Sequence, residues 1–122
     1  MTKNPFIKPE RRWRMREITV PLAPTVDKKL TERRILHLCV SGVIVPAYVE
    51  GRGNSSVRWF NRQNLFDLAI ALDLVEMGMA SHMIKALLVH WRGWKDEYLS
   101  IQTRFGEIRF SSKLINNSID LI

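Results

Sequence analysis

The sequence has little cysteine and no long uncharged apolar run. Its one cysteine, Cys39, cannot form a disulfide within the chain, so a disulfide scaffold is excluded and we expect a small buried side chain in a reducing compartment. No stretch approaches the roughly 18 uncharged apolar residues of a bilayer span. No apolar run follows the charged N-terminus either. We therefore expect no membrane anchor, no secretory signal and a cytoplasmic location.

Motifs of catalysis and of cofactor or metal binding are also missing. The sequence contains no Gly-x-x-x-x-Gly-Lys phosphate loop, and the glycines of residues 51–53 are too few for a dinucleotide fingerprint. His82 and His90 are eight residues apart in one predicted helix, about two turns, which is too far to share a metal ion. No nucleophile motif surrounds Cys39. We therefore expect no catalytic residue, no cofactor, no metal site and no enzymatic activity.

Basic side chains are in excess and lie mainly in the first half of the chain. The 122 residues include 19 Lys and Arg against 12 Asp and Glu, a net charge of +7. Residues 1–62 carry thirteen basic and five acidic side chains, whereas residues 63–122 carry six and seven. Clustered basic groups release counterions from phosphates, so nucleic acid is the leading partner for the basic half. An acidic membrane or protein would attract it too.

The length fits one compact domain, which the sequence divides into three parts. Residues 1–17 are dense in arginine and are predicted to be a basic arm, docked on the body through Phe6 and Trp13. Residues 18–94 form the predicted domain body, and residues 95–122 an extension. Within the body, the alternation of Ile18–Leu22 is typical of a strand.

The first clear helix is predicted from Thr31, as its N-cap, to the glycine at position 42. At 100° per residue, one face of this helix is apolar and is expected to pack on the core, whereas the opposite face is polar. The apolar face holds Ile35, Leu38 and Cys39. The polar face holds Arg33, Arg34 and His37, which offer cationic and donor groups to a partner.

Further along, apolar runs and turn residues predict two hairpins and two more helices. The β-rich runs Val43–Val49 and Val57–Phe60 flank a polar tip at residues 50–56. Helices are predicted from the N-cap Asn61 to Gly78 and from Ser81 to Gly93. A second hairpin is predicted around Gly106, and Ser118–Ile122 is predicted to be a further strand.

Several of these segments share their spacing with one family. Gly42-Val43-Ile44-Val45-Pro46 stands where that family has Gly-Leu-Leu/Ile-x-Pro after its recognition helix, and Ser56–Asn61 is similar to its wing end Gly-Tyr-Arg-x-Tyr. Met77-Gly78 and Ile84–Leu88 match a later Gly and Ile-x-x-Leu-Leu spacing. Residues 25–88 thus resemble the MerR-type winged helix-turn-helix.

This resemblance implies an α+β, mostly helical fold that binds double-stranded DNA in a sequence-specific way. It implies a bacterial or phage-type, nucleoid-associated transcription regulator, in which one helix reads the major groove and the wing and arm contact phosphates. The expected DNA-binding residues are Arg33, Arg34 and His37 on the helix, Arg52, Asn54, Ser55 and Arg58 on the wing, and Arg12 and Arg14 on the arm.

The sequence departs from the family at both ends of the resemblance. Pro21–Leu30 does not match the family's first helix, and a C-terminal hairpin stands in place of the dimerising coiled coil. This departure predicts a shortened protein that either forms a homodimer through the strands of that hairpin or functions alone. Two alternatives remain open. The first is a protein-interaction module that uses Trp91, Trp94 and the hairpin surface without sequence-specific DNA binding. The second is minor-groove binding by the Arg11–Arg16 arm.

Overall fold

The computed structural model describes residues 10–52, 56–91 and 97–122. About 53% of the described residues are helical, and the fold is α+β with two small antiparallel sheets. No described helix is both long and apolar enough to cross a bilayer. In chain order the elements are β1 (Trp13–Arg14), α1 (Met15–Leu22), α2 (Lys28–Val40), β2 (Tyr48–Glu50), β3 (Val57–Phe60), α3 (Arg62–Glu76), α4 (Ser81–Trp91), β4 (Tyr98–Thr103), β5 (Gly106–Ser111) and α5 (Ser112–Asp120).

Helix α1 corrects the prediction of a strand at Ile18–Leu22. The Glu17 carboxylate accepts a hydrogen bond from the Arg14 amide at 2.9 Å, which supports the start of a helix. The helix buries Ile18 and Thr19 completely. Ile18, Thr19 and Val20 are β-branched and favour a strand, but the helix places Ile18 and Thr19 in the core. Burial in the core therefore outweighs their strand preference.

The second half of the predicted arm is built into the body. Trp13 lies in β1, pairs with Phe60 of β3 and is 4% exposed, as the prediction of docking through Trp13 requires. The next residues enter α1. Phe6, the other expected anchor, lies outside the described residues.

Helix α2 begins four residues earlier than predicted. Its N-cap is Asp27, whose carboxylate accepts from the Leu30 amide at 3.0 Å, and not Thr31, which is buried inside the helix. Ile35 and Leu38 are fully buried, as predicted, and Cys39 packs against the core.

The chain leaves α2 through Gly42, whose φ of 77° lies in the left-handed region that glycine tolerates. The amides of Val43 and Ile44 both donate to the Leu38 carbonyl, at 2.9 and 3.1 Å, and their side chains enter the core. The predicted strand from Val43 is therefore wrong in its first part, because these residues close the helix end. The strand itself covers Tyr48–Glu50.

Sheet β1-β3-β2 is antiparallel with β3 in the centre. Trp59 of β3 pairs with Arg14 on one side and Tyr48 on the other, so these three residues share the outer face of the sheet. Arg58 and Phe60 point to the opposite face, where Phe60 is fully buried. Strand β1 spans two residues, so it leaves the first half of β3 unpaired on that side among the described residues.

Helix α3 is the central element and follows its prediction. The Asn61 side chain accepts from the Asn64 amide at 2.8 Å as the expected N-cap. The helix contacts α1, α2, α4, α5 and β3. Gly78, with φ of 87°, turns the chain into α4, which begins at Ser81 as predicted.

The C-terminal hairpin is confirmed, and the strand predicted at Ser118–Ile122 is wrong. Strands β4 and β5 pair from Tyr98↔Ser111 to Thr103↔Gly106. The following segment is helical because the Ser111 hydroxyl caps it, accepting from the Leu114 amide at 3.2 Å, and Ile119 enters the core. Arg62 of α3 donates to Asp120 of α5 at 2.7 Å, which holds α5 on α3.

Candidate nucleic-acid interface

One stripe of α2 points away from the core into solvent. It carries Lys29, Arg33, Leu36 and Val40, which are spaced i, i+4, i+7 and i+11 and therefore lie on one side of the helix. All four are exposed, Leu36 by 39% and Val40 by 73%. Arg33 thus lies where the sequence predicts it. The two apolar members were missed, although their helical spacing from Lys29 is visible in the sequence.

The other two predicted residues of α2 point toward the turn between α3 and α4. Arg34 forms an ion pair with Glu76 at the end of α3, and its side chain is 23% exposed. The His37 Nε2 atom lies 3.1 Å from the Ser81 hydroxyl at the start of α4, although the ring itself is exposed. Arg33 and Arg34 are adjacent in sequence and so about 100° apart around the helix. The predicted group of three therefore divides between two surfaces.

A groove of about 700 Å³ runs between α2, the start of α1 and the unpaired part of β3. Its floor and walls combine apolar and basic side chains: Arg14, Met15, Arg16, Leu36, Val40, Ser56, Val57 and Arg58. A second depression of about 460 Å³ shares Met15 and Leu36 with it and extends to Lys29, Glu32 and Arg33. Together they form a channel along the α1 side of α2, which we call the α2 groove.

The α2 groove collects five basic side chains from four elements, β1, α1, α2 and β3. They are Arg14, Arg16, Lys29, Arg33 and Arg58. Within the described ranges, Arg16, Arg33 and Arg58 have no ion pair. Glu32 is the acidic residue that lines the same channel. Unneutralised charge in a concave surface focuses the field, so the groove is suited to a polyanion.

Arg58 is held at the inner wall of this groove, beside α2. Burial raises the pKa of the Cys39 thiol from 9.0 to about 11, and the nearby positive charge of Arg58 opposes part of that rise. The thiol therefore stays protonated near neutral pH, so it supplies no negative charge beside Arg58.

Arginines also lie on the outer face of sheet β1-β3-β2. The Arg14 guanidinium lies 5.1 Å from the centre of the Trp59 ring, and that of Arg12 lies 5.8 Å from the centre of the Tyr48 ring. These cation–π contacts orient two of the predicted arm residues. Arg14 reaches the edge of the α2 groove, whereas Arg12 stays on the outer face.

No protein-family model matches the chain, and neither a curated protein nor a solved structure does.

Asn64 fixes the connector that leads from α2 into β2, a role that sequence reasoning missed. Its buried amide donates to the Val45 carbonyl at 2.9 Å and accepts from the Ala47 amide at 3.1 Å. It thereby fixes the connector between α2 and β2 onto the first turn of α3. The signal in the sequence is an Asn three residues after the N-cap Asn61, which is a position that reaches back toward the cap.

The remaining predicted residues lie at the wing and in the C-terminal half. Arg52 is exposed just after β2, whereas Asn54 and Ser55 lie outside the described residues. Trp91 is half-buried, with its ring 6.4 Å from that of Phe110 in an edge-on arrangement. Trp94, its expected companion on an interaction surface, lies outside the described part of the chain.

The described residues hold no group of three or more His, Cys, Asp and Glu side chains suited to a metal ion.

Proposed function

We propose that this protein binds double-stranded DNA in a sequence-specific way, as a MerR-like transcription regulator with a winged helix-turn-helix. The observation that carries the proposal is the α2 groove, where Arg14 of β1, Arg16 of α1 and Arg58 of β3 lie beside the exposed stripe of α2 with its Lys29 and Arg33. The order α1, turn, α2, short hairpin and α3 supports it, because a hairpin after a recognition helix can reach the phosphates beside the major groove.

In this proposal α2 enters the major groove and one DNA strand follows the α2 groove. Arg33 is exposed and has no ion pair among the described residues, so its guanidinium is free to form two hydrogen bonds with guanine O6 and N7. Arg16 and Arg58 flank the helix and would contact phosphates. Arg34 is engaged by Glu76 and serves mainly to fix α2 on α3.

The proposal is tested by measuring affinity for a random duplex and for duplexes selected from a pool, at about 50 and 200 mM salt. If the four basic groove residues other than Arg33 each contact a phosphate, the logarithm of the binding constant falls with the logarithm of salt with a slope of roughly −3.6 for each bound copy. We expect a selected site to bind at least about 1,000-fold more tightly than random DNA. Absence of binding, or equal affinity for all duplexes, would reject sequence-specific recognition.

We also propose that two copies pair through the β4–β5 hairpin. In the described sheet each of these strands pairs with the other, so their outer edges keep unpaired backbone groups. Phe105 at the hairpin turn is 91% exposed, which is unusual for so large an apolar ring. A twofold dimer would place two α2 helices on a palindromic site.

Solution mass tests this pairing. We expect sedimentation equilibrium of the wild type to give twice 14.3 kDa at the concentrations used for DNA binding, and Phe105→Ser to give the single-chain mass. Leu114→Ser, which changes an exposed apolar residue of α5, is the matched control and is expected to remain dimeric. A single-chain mass for the wild type would refute the dimer.

A further inference from the structure

Leu36 and Val40 form an apolar surface in the middle of the basic groove. Both are exposed on the stripe of α2 that carries Lys29 and Arg33. Met15 and Val57 continue this apolar surface on the opposite wall of the groove. Single exposed apolar residues are common on proteins, but two on one helix stripe, enclosed by arginines, indicate a ligand that combines negative charge with small apolar groups.

Duplex DNA has this combination in its major groove. The edge of each thymine there carries a 5-methyl group, which apolar side chains contact, and phosphates line both sides of the groove. We infer that Leu36 and Val40 contact thymine methyl groups, so that the site bound by α2 contains A·T pairs beside the pair contacted by Arg33. This inference rests on the proposed function, and it adds that α2 selects thymine through its 5-methyl group.

The helix geometry also gives the spacing of these bases. Successive residues rise 1.5 Å, so Leu36 lies about 4–5 Å and Val40 about 10 Å beyond Arg33 along the α2 axis. Base pairs are about 3.4 Å apart. A helix that lies along the groove therefore places the thymines within about three base pairs of the guanine contacted by Arg33.

The experiment replaces each thymine of a selected duplex with deoxyuridine, which lacks the 5-methyl group and keeps the same hydrogen-bonding edge. We expect one or two positions near the guanine to lose about fourfold in affinity each, equivalent to about 0.8 kcal/mol for one buried methyl-sized group. Uracil at the other thymines is the internal control and is expected to leave affinity unchanged.

Protein variants then assign the effect to the side chains. In each of the variants Leu36→Ala and Val40→Ala, we expect the protein to bind duplexes with thymine or uracil equally well at the position that the replaced side chain contacts. The reason is that the methyl group at that position has lost its contact. Leu114→Ala, an exposed apolar residue of α5, is the matched control and keeps the fourfold preference.

The outcomes separate this inference from the proposed function. Tight sequence-specific binding with equal affinity for thymine and uracil at every position would overturn the inference and leave DNA recognition standing. Salt-sensitive binding without a preferred sequence would overturn both. A thymine preference that survives in both alanine variants would also overturn the inference, because another group would be reading the methyl.

Discussion

Trp13→Ala is expected to lower the free energy of unfolding by about 3–5 kcal/mol, the range for removing a buried Trp or Phe side chain from a core. Trp13 is 4% exposed and lies beside the fully buried Phe60, so alanine would leave a cavity under sheet β1-β3-β2. A loss of this size is a large fraction of the roughly 5–15 kcal/mol that stabilises a typical domain, so the variant would unfold at a much lower denaturant concentration. Urea denaturation followed by circular dichroism measures it as a shift in midpoint.

Two variants control for the cause of this loss. The Trp13 indole nitrogen is buried without a hydrogen-bond partner among the described residues, so Trp13→Phe removes an unsatisfied donor and is expected to cost far less than alanine. Arg12→Ala, at the exposed neighbouring position, is expected to change stability by less than about 1 kcal/mol. An unchanged midpoint in Trp13→Ala would mean that this segment is a separable arm after all.

The sequence predicts best the elements that carry strong local signals. Helix α3 begins at its expected cap Asn61, α4 begins at Ser81, and the second hairpin turns beside Gly106 as predicted. In each case the cap or turn residue and the apolar spacing favour the same structure, so tertiary contacts reinforce the local preference.

The failures have a common physical cause. Ile18–Leu22 and Ser118–Ile122 are short segments whose alternating apolar residues suit a strand as well as one or two turns of helix. Their helices are decided by Glu17 and Ser111, which satisfy amides at the helix start, and by the burial of Ile18 and Ile119 against α3 and its neighbours. Such a choice depends on contacts that a local pattern does not contain.

The same limit applies to the candidate interface. Helical periodicity predicts that Arg33 and Arg34 both avoid the core, but the ion pair between Arg34 and Glu76 joins residues 42 positions apart. The groove exists because β1 is short and α1 begins at once, which places Arg16 opposite α2. Neither fact follows from the residues of α2.

The second large effect concerns DNA affinity. Combining Arg16→Ala, Arg33→Ala and Arg58→Ala is expected to weaken binding to a selected duplex by at least about 100-fold. Loss of the Arg33 base contact accounts for about 1–3 kcal/mol of this, and loss of two phosphate contacts for the rest. The salt dependence should become shallower by roughly 0.9 for each phosphate contact removed. Fluorescence anisotropy across a salt series measures both quantities.

A matched double variant separates a local site from general charge. Lys85→Ala combined with Lys113→Ala removes two charges from exposed positions of α4 and α5, outside the α2 groove and the hairpin, and is compared with Arg16→Ala combined with Arg58→Ala. The Debye length is about 8 Å at physiological ionic strength, so charges away from the contact are screened, and we expect at most about a threefold loss. Equal losses in the two double variants would show that net charge and not the α2 groove determines binding. Arg34→Ala is expected to retain more affinity than Arg33→Ala, because Arg34 already pairs with Glu76 on the other side of the helix.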